Sequence, residues 1–240
     1  MKNGLRIFLL VITLAGSAAS QGFWEKKDFH QWSEADCQKL LTESPWAQAY
    51  TFKRVVIAPL QQPETPTMEP LPFINYQVTV LSALPVRQAL VRASQITARY
   101  DKLSVEQQKA FDQKSEMFLS GNYADKVVFR VSYNSNVVDD DRRLAIYWRS
   151  QTKETLKNTI YLIRPDGQKL PLLNYTVASG SAREFELIFP RQYEGHPVVT
   201  AQDTEFRLEF VHPTIRTDAE RRILINFKVK KMVVRNELLF

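Results

Sequence analysis

Five stretches of this chain carry apolar residues at every second position, with mostly polar residues between them, and that pattern dictates sheet faces before anything else is known. Ile74, Tyr76, Val78 and Val80 alternate with Asn75, Gln77 and Thr79, while Val127, Phe129, Val131 and Tyr133 alternate with Val128, Arg130 and Ser132. Phe185, Leu187 and Phe189 are separated by Glu186 and Ile188, after Glu184; Phe206, Leu208 and Phe210 by Arg207 and Glu209, after Glu205. Ile223, Ile225, Phe227 and Val229 complete the set, with Asn226 and Lys228 between them. Successive side chains of a strand point to opposite faces, so each stretch reads as a strand with one buried and one wet face. At Lys230-Lys231 the phase breaks, with Met232 and Val234 on the formerly polar register. A β-bulge at that point would return the apolar residues to the core.

Weaker signals extend the sheet. Ala47 to Ala58 is rich in β-branched and aromatic residues and reads as a strand. Thr159–Arg164 and Gln168–Tyr175 flank Pro165-Asp166-Gly167, a turn signal that makes them a hairpin. About eight short antiparallel strands predict an α+β fold, mainly β, built as an immunoglobulin-like β-sandwich. Pro59 to Pro72 carries five prolines, an extended loop that serves either as a connector or as a docking segment.

Helical signals interrupt this pattern twice. Ser33 reads as an N-cap with Asp36 at the third helical position, and Trp32 with Cys37 forms the hydrophobic-staple pair. That helix spans about Glu34–Glu43 and stops at Ser44-Pro45. From Pro85 the apolar period becomes helical through Val86, Ala89, Leu90, Ala93, Ile96 and Tyr100, with Arg87, Arg92 and Arg99 off the stripe. Ser104 and Gln107 open a second helix that carries Glu106, Asp112 and Glu116 and ends near Gly121. A basic helix followed by an acidic one predicts an antiparallel hairpin over about 84–121, inserted in the sandwich, its charges paired across the two helices. The same arginine face could instead bind an anion. Asp139-Asp140-Asp141 opens either a short acid-capped helix or a strand over Arg142–Trp148. A calcium loop would alternate ligands with spacers and supply a Gly turn, which this run does not do.

The leader sets the address. Lys2 and Arg6 precede the apolar run Ile7–Leu14, and Ala15-Gly16-Ser17-Ala18-Ala19-Ser20 follows. That order is a secretory signal peptide over 1–20, cleaved to leave Ser20 or Gln21 first. Ser17 stands where a lipoprotein would need cysteine, and the run is shorter than the roughly 20 residues of a membrane span. The chain then divides into the leader, a helical lead segment over 21–46, and a sandwich domain over 47–240. Loss of Lys2 and Arg6 lowers the net charge from +6 to +4, spread among 26 acidic residues, which predicts neither nucleic-acid binding nor stable membrane insertion.

Several chemistries drop out. Cys37 is the single cysteine, so no intramolecular disulfide forms; its context reads as a buried staple, the alternative being a reactive thiol. After the leader only Gly22, Gly121, Gly167, Gly180 and Gly195 remain, too dispersed for a phosphate-cradling loop. HExxH and CxxC are absent, and Gly180-Ser181 lacks the second glycine of a nucleophile elbow. A triad assembled from distant residues would need His30, His196 or His212 as its base. No catalytic, cofactor-binding or metal-ligating residue is nominated, and no cofactor is implied.

Trp32-Ser33, Cys37, Leu40-Leu41 and Ser44-Pro45-Trp46-Ala47 together resemble the opening of a family of small exported bacterial proteins of uncharacterised function. The resemblance covers about 16 residues closely. It implies bacterial export and transfers no activity. Two function classes remain: an exported, non-catalytic module that binds another exported protein, in the periplasm or outside the cell, or a hydrolase or small-ligand carrier with a site between the helical hairpin and the sheet.

Overall fold

The computed structural model describes residues 22–53, 71–178, 183–215 and 222–240. The leader, the end of the first predicted strand, nearly all of the proline-rich loop and Gly180-Ser181 lie outside the described residues. The strands are β1 (Ala47–Lys53), β2 (Phe73–Val80), β3 (Lys126–Ser135), β4 (Ile160–Ile163), β5 (Lys169–Pro171), β6 (Asn174–Val177) and β7 (Glu184–Pro190). They continue with β8 (Gln192–Tyr193), β9 (His196–Pro197), β10 (Glu205–Val211), β11 (Arg222–Lys228), β12 (Val233–Val234) and β13 (Glu237–Leu238). The helices are α1 (Phe23–Lys26), α2 (Glu34–Glu43), α3 (Leu84–Thr97), α4 (Val105–Leu119), α5 (Val138–Ser150) and α6 (Lys153–Leu156).

Pairing is antiparallel throughout. The largest sheet has five strands in the order β1-β2-β3-β7-β6 and a second has four in the order β11-β10-β4-β5, while β8–β9 and β12–β13 are two-stranded ribbons. The alternating stretches face as their period requires: Tyr76, Val78, Val80, Phe129, Phe185, Leu187, Phe206, Leu208 and Phe227 are all fully buried. Rings from the two sheets meet in one core, Phe129 lying 5.6 Å from Phe227 and Tyr76 5.3 Å from Phe210. Trp148 of α5 enters the same core and stacks on Phe185 at 4.3 Å, while Tyr175 donates its hydroxyl to the Trp148 carbonyl at 2.6 Å.

The fold is α+β with antiparallel sheets, but not mainly β: helix takes 36% of the described residues and strand 34%. The excess comes from α5, where the acidic run forms the first turn of a helix over Val138–Ser150, with Val137 at the N-cap and no side-chain cap. Apolar Leu144, Ala145 and Trp148 at helical spacing bury its inner face. The hairpin predicted over Thr159–Tyr175 splits as well. β4 and β5 pair around Gly167 (φ 87°), and the chain then leaves that sheet at Leu172-Leu173 to pair β6 with β7 in the other. At Lys230-Lys231 there is no bulge. A 3-10 turn over Val229–Lys231 restores the phase, because its threefold repeat puts Val229 and Met232 on one side, both fully buried.

The lead segment folds around the capping box, with both residues of the expected staple buried in the core. Ser33 Oγ accepts from the Asp36 amide at 3.1 Å, and the Asp36 carboxylate accepts from the Ser33 amide at 3.0 Å. Trp32 and Cys37 are each 1% exposed. Arg92 of α3 donates to the Trp32 carbonyl at 3.0 Å, tying the lead segment to the inserted helices.

Those helices lie between β2 and β3, and α4 is capped by Ser104 and Gln107 as predicted. Their charges do not pair across the hairpin among the described residues. Arg87 turns inward instead, donating to the Leu81 and Ser82 carbonyls and lying 4.2 Å over the Tyr123 ring, and burial pushes its pKa down. Asp112 accepts from the Tyr100 hydroxyl at 2.8 Å. Free carbonyls at the start of α3 and an aromatic face outcompete an exposed ion pair, which is worth less than about 1 kcal/mol.

Candidate binding cleft

Two concavities stand out among the described residues. The larger, about 1470 Å³, lies where β1 and β11, each the last strand of its sheet, come alongside one another. β1 contributes Gln48 and β11 contributes Asn226 and Lys228, while α1 adds Trp24, Glu25 and Lys26. The end of α2 adds Glu43, Ser44 and Pro45, and the C-terminal turn adds Lys230, Lys231, Val233, Arg235 and Asn236. Local structure explains how this wall forms. The buried pair Val229 and Met232 points the intervening Lys230 and Lys231 outward from their short turn. Arg235 (φ 51°) and Asn236 (φ 66°) then make the two-residue turn of the β12–β13 ribbon.

The opposite wall depends on close approach. A Cβ at Gly22 would fall 2.2 Å from the Trp24 ring, so only glycine lets that ring lie against the chain. Trp24 packs edge-on against Phe23 at 5.2 Å and Trp46 at 5.4 Å; Trp46 is fully buried and donates its indole N–H to the Leu239 carbonyl. Tryptophans of the lead segment therefore act chiefly as packing that fixes the cleft floor. Five cations line the cleft against two carboxylates, whereas the whole chain has 32 against 26. Lys228 is paired with Glu205. Among the described residues no ion pair engages Lys26, Lys230, Lys231 or Arg235.

The second concavity, about 360 Å³, lies between α3, α4 and β3. Leu90, Val91, Phe111 and Phe118 make its apolar part, and Ser94, Ser115, Lys114 and Arg130 its polar part. Arg130 is also paired with Glu186 on β7 at 3.0 Å. The groove has neither His nor Asp in its lining.

The residues that a concealed triad would require lie apart in the fold. His30 sits on an exposed 3-10 turn with Nδ1 2.7 Å from Asp28, and His196 is exposed on β9. His212, just past the end of β10, is fully buried, its Nδ1 2.8 Å from the Tyr76 hydroxyl and its ring 4.6 Å from Phe52, so it belongs to the core. Cys37 is buried, and desolvation pushes its thiol pKa up. The three aspartates diverge: Asp139 pairs with Arg142 and Arg143, Asp140 is buried, and Asp141 takes Arg183 at 2.8 Å. Among the described residues no group of three or more His, Cys, Asp or Glu is arranged to hold a metal.

The cleft was not legible in the sequence. Its cations come from both ends of the chain, and the local signal near Lys230-Lys231 was the broken alternation, which reports a turn and not a binding wall. Compared with known proteins, the chain matches no family model, no curated protein and no solved structure.

Proposed function

We propose that the protein is an exported, non-catalytic binding module that docks another exported protein at the β1–β11 cleft. The observation that carries this reading is the cleft itself: a large open concavity at the meeting of two sheet edges, where four of the five lining cations have no ion-pair partner among the described residues. Function placed on a rigid scaffold in this manner is how sandwich domains serve as binding modules. The address rests on the leader, Lys2, Arg6 and Ile7–Ser20, and on the likeness of the Trp32–Ala47 segment to small exported bacterial proteins. No helix among the described residues is long and apolar enough to cross a membrane, which agrees with that reading.

Strand order supports an immunoglobulin-like sandwich as the scaffold. With β2, β3, β7 and β6 taken as A, B, E and D, and β4, β5, β10 and β11 as C, C′, F and G, both sheets follow the order of that architecture. β1 is then an added strand outside A.

A lysine-acylation footprint tests the docking site. Lys26, Lys230 and Lys231 should be protected in cells relative to the purified protein, while Lys109 and Lys114 on α4 react equally in both. Equal reactivity of all five lysines would refute docking at the cleft.

A second reading has its own observation. The groove between α3, α4 and β3 has the size of a small-ligand site, with apolar walls and two cations at its rim. It supports a carrier of small amphiphilic anions over a hydrolase, because its lining has no general base. Displacement of a bound hydrophobic dye by a medium-chain fatty acid, abolished by Phe111→Asp, would favour it; a dye signal unaffected by either would dismiss it.

A further inference from the structure

We propose that the cleft receives an acidic peptide segment of its partner; this assignment rests on the reading of the chain as a binding module that works through that site. The charge argument is local. Five cations against two carboxylates line one concavity in a chain whose cations and anions are otherwise nearly balanced. A concave wall of low dielectric concentrates their field and favours an anionic occupant.

The rest of the lining selects among anions. Glu25 and Glu43 stand on the same walls and would repel a uniformly charged polyanion such as polyphosphate. A peptide meets them differently, because its amide N–H groups donate to carboxylates while its acidic side chains reach the lysines. Gln48 and Asn226 each offer a donor and an acceptor, the combination that a peptide group needs. Trp24 and Val233 give apolar contact for residues between the acids. A volume near 1470 Å³ also exceeds the roughly 300–1,000 Å³ of small-molecule sites, which suits a chain segment better than a small ligand.

Arg235 carries a second signal. It sits at φ 51° in a two-residue turn, where Gly, Asn or Asp is the relaxed choice. Asn at position 235 would suit the turn better and would remove a cleft cation. That substitution separates binding from folding.

The test uses the purified exported protein and a fluorescent peptide of alternating Glu and Val, with a Lys-Val peptide and polyphosphate as comparators. The Glu peptide should bind saturably, weaken with added salt, and outcompete both comparators. Lys230→Glu with Lys231→Glu should weaken binding by more than about tenfold. Arg235→Asn should weaken it roughly two- to fivefold, while its melting temperature is unchanged or raised. The assignment is overturned if the Lys peptide binds as well, if charge reversal leaves binding unchanged, or if polyphosphate binds more tightly. Protection of the cleft lysines in cells without binding of the Glu peptide would retain the docking site and reject the acidic-peptide assignment.

Discussion

Replacing Cys37 with serine tests whether the staple is a buried apolar contact. The side chain is 1% exposed, at the fourth position of α2, in the same buried core as Trp32. A hydroxyl brought there loses its water, a penalty of about 1–3 kcal/mol by mutational measures. Part of this is recovered locally. The Ser33 carbonyl accepts from the residue 37 amide at 3.0 Å and lies one helical turn back, within reach of a serine hydroxyl. The expected loss is therefore about 1–2 kcal/mol, or a melting temperature lower by roughly 2–8 °C in a domain of this size. Cys37→Ala removes the sulfur contacts without adding a polar group, so stability should fall in the order wild type, alanine, serine. Denaturant unfolding measures all three, and a thiol reagent on the native wild type should react only as fast as the fold opens. A serine variant as stable as wild type, or native labelling at the rate of a free thiol, would refute the reasoning.

Trp148→Ala removes a fully buried ring stacked on Phe185 and should cost about 3–5 kcal/mol by denaturant unfolding; a loss under about 1 kcal/mol would place that ring outside the shared core. Burial pushes the Tyr123, Tyr133 and Tyr175 hydroxyls up, so the folded state holds their protons more tightly than the unfolded state. Their neutral form gives stability that is fully present below about pH 10 and falls as pH rises toward the raised values. The tyrosinate absorbance of these three should then appear in step with loss of circular dichroism; their titration near pH 10 in an intact fold would contradict this. For the leader, the intact mass of the exported protein should begin at Ser20 or Gln21 without lipid, and a retained leader or an acyl adduct would reject the proposed processing.

What sequence reveals here is local. Ser33 with Asp36 and Ser104 with Gln107 specify their helix starts because each cap is a bond between residues three apart. Phe206, Leu208 and Phe210 declare a face because alternation is read within one strand. Sheet membership is different. Nothing at Leu172-Leu173 announces that β5 and β6 belong to separate sheets, since only distant partners decide it. Arg87 looked like a solvated helix residue, and its inward turn depends on Tyr123, far along the chain. The cleft is the extreme case: Lys26 and Lys230 line one concavity only because β1 and β11 end neighbouring sheets.

The most direct test of the central claim is photo-crosslinking in the exporting cell. A photoreactive residue replaces Asn226 in the cleft or, as reference, Val105, which is 76% exposed at the start of α4. The account predicts a discrete protein adduct from position 226 that is absent from position 105 and disappears with Lys230→Glu and Lys231→Glu. No adduct at position 226, or the same adducts from both positions, would contradict it.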